Sequence, residues 1–274
     1  MRGIYTAGVL DVLMHKNISF PFVIGTSAGA LNACSFVSNN PGRTKIVMMK
    51  YMQSPRFASV GNYLLRGYLF DFDYLFHEVP KEVPFDWDHF NSSPIRLLCT
   101  CTSFQTGKPV YFEKGKDVEF LKAVGASASL PATIRRPVVV AGEPYCDGGP
   151  SCAIPFRKAL EEGYSKLVIV CTQKKGFRKD PDPAKLPLYM RRYVDDFPEF
   201  VEVFRHWNET YNRDMDEIDR LGEEGKALVI YPSRSPNVKV TSRDKKATES
   251  LYQLGKKDME KHFSELLDYL NKDF

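Results

Sequence analysis

Residues 20–33, Phe-Pro-Phe-Val-Ile-Gly-Thr-Ser-Ala-Gly-Ala-Leu-Asn-Ala, constrain the fold more than any other stretch of the 274-residue chain. A short apolar run, Phe22 to Ile24, enters the pentapeptide Gly25-Thr26-Ser27-Ala28-Gly29, and the small residues Ala30, Leu31 and Ala33 leave it with helical potential. This reads as strand, sharp turn and helix. A serine at such a turn sits on strained backbone, its hydroxyl exposed and the first amides of the helix beside it. Side chains at Gly25 or Gly29 are expected to collide where strand and helix pack against the turn. The pentapeptide alone is equally compatible with a tight strand-to-helix connection whose serine only caps the helix.

Composition narrows the class. With 43% hydrophobic and 26% charged residues the chain has the balance of a globular protein able to bury a substantial core. Its 38 basic and 34 acidic residues leave a formal charge of +4, too even to argue for nucleic acid and enough for a weak preference for anionic surfaces. No run reaches the length of a membrane-spanning helix and no export signal opens the chain, so a cytoplasmic protein, peripheral to the membrane at most, is expected. The six cysteines, at 34, 99, 101, 146, 152 and 171, lie mostly in apolar or strand-like runs and read as free thiols. Cys99 and Cys101 have the spacing of alternate strand residues, not of zinc ligands.

In chain order, residues 1–16 read as a helix with Gly8 as a small packing point. An opening helix in a parallel α/β sheet is normally fed by a strand, so the chain looks as if it begins one element late. Residues 54–90 crowd aromatic and aliphatic side chains without clean periodicity, either as irregular core or as an acyl-chain groove or membrane-facing lid near Ser27. Strands are expected at 95–101, 109–112, 137–140 and 143–146, with a helix at 117–126 capped by Asp117. After that helix comes Ala126-Ser-Ala-Ser-Leu-Pro-Ala, small residues that let another element approach closely. Asp147-Gly148-Gly149 follows directly on the last of these strands.

The second half supplies a helix at 154–163, buried strands at 167–171 and 227–231, amphipathic helix over 186–222 and a charged helix at 243–272. Residues 173–185, with Lys174, Lys175, Arg178, Lys179 and Lys185, read as a solvated basic loop ahead of a contact with anionic lipid. One domain over 1–274, with 186–274 a mostly helical part packed on it, is the economical organisation.

A serine nucleophile needs a base and donors for the oxyanion. Of His15, His77, His89, His206 and His262, only the last two fall late enough for a Ser, acid, His order, and both sit within charged helical sequence. Asp147, held in a turn flexible enough to bring it against Ser27, is the alternative base, although turn aspartates are common. An ordinary carboxylate titrates near pH 4 and is a poor base unless desolvated, so such a pair should suit esters more than amides.

The elbow at 25–29, the 126–131 segment and the Asp147-Gly-Gly149 turn, in that order, resemble the patatin-like phospholipases. The opening Arg2-Gly3-Ile-Tyr5-Thr-Ala-Gly8-Val-Leu10 resembles the tail of that family's glycine-rich first motif. The later part resembles the family's bacterial branch more loosely. The resemblance implies a three-layer α/β/α fold with a mainly parallel central sheet, its first strand missing from this chain. It implies lipid acyl-ester hydrolysis through an acyl-enzyme, with phospholipid or another acyl ester as substrate and no metal or other cofactor. By the same resemblance Ser27 is the nucleophile, Asp147 the base, Gly148 and Gly149 its turn, and Gly25, Ala28 and Gly29 the elbow. Arg2 and Gly3 would be what remains of the oxyanion loop. Loss of oxyanion donors costs about 10²- to 10³-fold each, so weak activity is expected. A catalytically impaired lipid-binding or interaction protein of the same fold, or a histidine-triad esterase, are the competing expectations.

Overall fold

A computed structural model describes residues 2–52, 54–181, 186–236 and 244–272. Helix α1 (Gly3–His15) leads to strand β1 (Phe22–Thr26), and α2 (Ala28–Val37) and α3 (Arg43–Lys50) follow. Short helices α4 (Val60–Arg66), α5 (Val79–Glu82) and α6 (Trp87–Ser92), with a π turn at Tyr74–Glu78, fill the next stretch. Then come β2 (Arg96–Ser103), β3 (Pro109–Glu113), α7 (Phe120–Ser127), β4 (Val138–Val140), β5 (Glu143–Asp147), α8 (Phe156–Glu161) and β6 (Leu167–Val170). A 3₁₀ turn at Leu188–Tyr193 precedes α9 (Pro198–Arg205), α10 (Trp207–Glu223), β7 (Ala227–Ile230) and α11 (Lys245–Asn271).

The expected layered α/β arrangement holds, with a mixed sheet. Parallel ladders join β1 to β2 and β6 to β7, while β3 and β5 pair antiparallel with β2, and β4 with β5. Strand β1 shows how the layers form, because alternate residues face opposite ways. Val23 packs toward the cores built on α1, α2, α7 and α11, whereas Phe22 joins α8 and α10 and stacks on Tyr164 at 4.8 Å. Val168 and Val170 of β6 enter the same core as Val23, and Leu167 and Ile169 the same core as Phe22. The free edges of β1 and β6 line one cavity of about 810 Å³.

Helices α1 and α11 cross in close contact. A Cβ on Gly8 would lie 2.2 Å from the Tyr252 carbonyl oxygen, and one on Gly255 2.1 Å from that of Tyr5. The crossing is tied by reciprocal hydrogen bonds, Tyr5 Oη to Asp258 at 3.1 Å and Tyr252 Oη to Asp11 at 2.6 Å, all four residues buried. Gly8 is thus a packing point, as expected. This crossing fixes α1, whose first residue Gly3 reaches the serine turn.

Three expectations are corrected. Helix α7 begins at Phe120, and Asp117 instead accepts a hydrogen bond from the Glu113 amide at 2.6 Å, closing the turn around Gly115. Gly25 does forbid a side chain, since its Cβ would lie 2.5 Å from the Gly29 carbonyl carbon, but a Cβ on Gly29 meets nothing within 4 Å. Gly29 opens on the cavity. The aromatic-rich stretch divides: Phe57 and Val79 are buried core, whereas Leu75, Phe76, Phe85 and Trp87 help line a second, apolar cavity of about 110 Å³ beside Ala28 and Leu31. The cysteines are free thiols, and all but Cys152 are buried.

Candidate active site

Ser27 follows β1 and precedes α2 with φ 58° and ψ −125°, a strained conformation for a residue with a Cβ. Two helices start against it. A Cβ on Gly3 would lie 2.6 Å from that of Ala28, so the first turns of α1 and α2 converge, and Asn32 Nδ2 donates to the Gly3 carbonyl at 2.8 Å to hold them together. The first amides of a helix have no partner within it and carry the positive end of its dipole. Developing negative charge near Ser27 would meet that field.

The small-residue segment at the end of α7 fastens the turn. The Ser27 amide donates to Ser127 Oγ at 2.9 Å, and Ser127 Oγ donates to the Thr100 carbonyl at 2.6 Å. Ser129 accepts from the Asp147 amide through its carbonyl at 2.9 Å, so one segment positions both residues.

Asp147 closes β5 opposite Cys101 and is only 1% exposed. Its Oδ1 accepts from the Gly149 amide at 2.7 Å, and Thr102 Oγ1 donates to its carbonyl at 2.8 Å. Oδ2 is buried without a hydrogen-bond partner among the described residues. Burial pushes the carboxyl up to about 6, opposed by the nearby Ser27 hydroxyl, the Gly149 amide and the Lys179 charge. Catalytic hydrogen bonds are often long before substrate arrives, so an Oδ2 without a partner, on a residue that shares its cavity with Ser27, suits a base. Gly148 serves packing, because a Cβ there would lie 2.3 Å from the Thr100 carbonyl oxygen. Gly149 lets Trp207 approach, its own Cβ position lying 2.9 Å from that ring.

Arg2, Gly3, Gly25, Ser27, Ala28, Gly29, Asp147 and Gly149 all line the 810 Å³ cavity; of the expected residues only Gly148 stands behind it. His206 pairs with Glu202 and Glu209, and His262 with Glu265, in helical i,i+3 and i,i+4 contacts, and neither lines this cavity.

Ser127, Asn32 and Trp207 stand around this candidate site without having been assigned to it from the sequence, and Lys179, named there only as part of a basic loop, joins them. The loop carrying Lys179 is docked rather than solvated: Arg178 pairs with Asp216 and Asp219 of α10, and the Lys179 backbone is gripped at both ends by Asn212. Its Nζ lies 4.5 Å from the Trp207 ring centroid and 4.4 Å from that of Tyr211. Burial and the neighbouring Arg2 charge pull its pKa down to about 8. Lys174 and Lys175 are exposed, and Lys185 lies outside the described residues. The acid and aromatic spacing along α10 was the available signal, but it points to a partner only once the loop is known to pass there.

Comparison with known proteins places the chain in a family. Residues 1–160 match the patatin-like phospholipase family, and residues 197–271 match a domain of unknown function, DUF6363. The chain is similar to the uncharacterized protein YjjU of Escherichia coli (strain K12), with 32% identity over 241 residues. That alignment covers 85% of this chain and 66% of YjjU. Serine elbow, small-residue segment and Asp-Gly-Gly turn all fall inside the first match, and the chain belongs to the patatin-like phospholipase family.

Proposed function

We propose that this protein hydrolyses acyl esters of lipids through a Ser27–Asp147 dyad and an acyl-enzyme. The observation that carries the reading is the pairing, on one cavity, of a strained, half-exposed serine with a buried carboxylate whose Oδ2 has no partner. Asp147 takes the hydroxyl proton as Ser27 Oγ attacks the ester carbonyl, and the negative oxygen faces the first amides of α1 and α2. When the tetrahedral species collapses the ester C–O bond breaks, and protonated Asp147 returns the proton to the departing alkoxide. A water molecule, deprotonated by Asp147, then attacks the acyl-serine, and the acid leaves as Ser27 regains its proton. A carboxylate at about 6 is a far better base near neutrality than one at 4.

The apolar cavity beside Ala28 supports acyl chains as the apolar part of the substrate. Exposed Val60, Leu64 and Leu65 on α4, flanked by Arg135 bound to the Leu64 carbonyl and Arg192 bound to Tyr63, support contact with a lipid surface. A lipid-binding protein without turnover is the second reading, since the apolar cavity beside Ala28 and the exposed Leu64 and Leu65 need only binding to explain them.

Turnover of fluorogenic acyl esters and phospholipid, with fluorophosphonate labelling of Ser27 read by mass spectrometry, separates the two. Ser27→Ala and Asp147→Asn are each expected to lower kcat by about 10³-fold or more. A protein that binds lipid vesicles but turns over no ester and takes no label on Ser27 would be the second kind.

A further inference from the structure

We infer that Lys179 and Arg2 form an anion subsite beside Ser27 that takes a phosphate group carried by the acyl-ester substrate. Both side chains line the cavity that holds Ser27 and Asp147, and they lie close enough for the Arg2 charge to act on the Lys179 ammonium. Two like charges held together in partly buried surroundings are unfavourable unless a counter-charge arrives. Among the described residues neither has a carboxylate within ion-pair distance, whereas Arg178, one residue earlier, is fully engaged by Asp216 and Asp219 at 2.6 and 2.8 Å. The fold therefore neutralises one cation of this loop and leaves the next one facing the cavity.

Lys179 is also built in place. Asn212 accepts from its amide at 2.8 Å and donates to its carbonyl at 2.8 Å, and Asn208 donates to the Asp180 carbonyl at 2.9 Å. Trp207 and Tyr211, one turn apart on α10, present their faces to the ammonium. Cation–π contact stabilises the charge without occupying its N–H donors, which stay available to an anion. These seats come from the region matched as a domain of unknown function, which gives that region a role at the active site. Asp147 is the nearby negative group, and it is neutral once it has taken the serine proton. In a glycerophospholipid the phosphate lies a few bonds from the scissile ester, so one cavity accommodates both.

The inference rests on the dyad reading for its kinetic arm only. Turnover of phosphatidylglycerol in mixed micelles is compared with that of uncharged p-nitrophenyl butyrate for the native protein, Lys179→Met and Lys179→Arg. The ratio of the two kcat/KM values is expected to fall about tenfold in Lys179→Met, through KM for the phospholipid, and to be largely restored in Lys179→Arg. An unchanged ratio, or an equal loss on both esters, overturns the inference; the latter places the effect of Lys179 on Asp147. Binding of inorganic phosphate, followed by calorimetry, separates a site for free phosphate from one that needs the lipid. Phosphate bound by the native protein and lost in Lys179→Met, with the ester ratio unmoved, assigns the subsite to free phosphate and overturns the lipid assignment. If the native protein turns over no ester, the hydrolase reading fails and the calorimetry alone decides: weaker phosphate binding in Lys179→Met supports the anion subsite, and equal or absent binding overturns it.

Discussion

Asp147, the proposed base, owes its suitability to its surroundings more than to its residue type. At 1% exposure its charged form is disfavoured, and the carboxyl titrates at about 6. Because that folded-state value lies above the ordinary carboxylate value near 4, its contribution to stability is fully present below pH 4. It is lost as pH rises through about 6. Asp147→Asn is therefore expected to raise Tm at pH 8 relative to the native protein and to change it little at pH 4, while turnover disappears; calorimetry at the two pH values checks the first part. Native turnover should rise with pH through about 6, as the base loses its proton. Ser27 was legible from its own pentapeptide, because a strand-turn-helix is a local pattern. The strain at φ 58° follows from that pattern and could be expected before any coordinates. The role of Ser127 was not, since its hydrogen bond to the Ser27 amide joins residues 100 positions apart.

Elements were readable where a single face decides them. β1, β2 and β6 follow from apolar runs, and α1 from its periodicity with Gly8 as the close-packing point. The stretch between α3 and β2 was not readable in this way. Its short helices and π turn are shaped by the cavity beside Ala28 and by the core under Phe57, which no local repeat records. The α1–α11 crossing shows the same division: Gly8 was visible, but its partner Gly255 only emerges when the two helices meet. Gly255→Ala would place a Cβ 2.1 Å from the Tyr5 carbonyl oxygen and force the helices apart. A loss of about 1–3 kcal/mol is expected by chemical denaturation. Ester turnover should fall with it, because α1 carries Gly3 to Ser27.

At the scale of the whole molecule the first 160 residues hold the proposed dyad, and later residues complete the walls of its cavity. α11 braces α1, and α10 supplies Trp207, Tyr211 and Asn212 around Lys179. Among the described residues no helix is long and apolar enough to cross a membrane. Leu64 and Leu65, 61% and 88% exposed on α4, are the side chains proposed to enter it. Replacing both by serine is expected to weaken sedimentation with vesicles of phosphatidylcholine and phosphatidylglycerol by about 10²-fold or more, since each leucine buried in the lipid contributes about 1.5–3 kcal/mol. Hydrolysis of a dissolved short-chain ester by the same variant, measured alongside, reports whether the active site has been disturbed.

The sequence by itself determined the elbow, the order of the three motifs and hence the family, because each is a short pattern whose residue types are required by backbone geometry within a few positions. Only the tertiary structure decided that Gly29 is open while Gly25 is not, and that Arg178 is neutralised while Lys179 lines the cavity of Ser27 and Asp147. Those outcomes depend on desolvation and on partners brought together from distant positions, and neighbouring residues of similar type carry no record of which of them the fold will leave unpaired. The same holds for Ser27: its place on the turn was local, but the Ser127 hydroxyl that holds its amide and the buried carboxylate and cation on its cavity are products of packing.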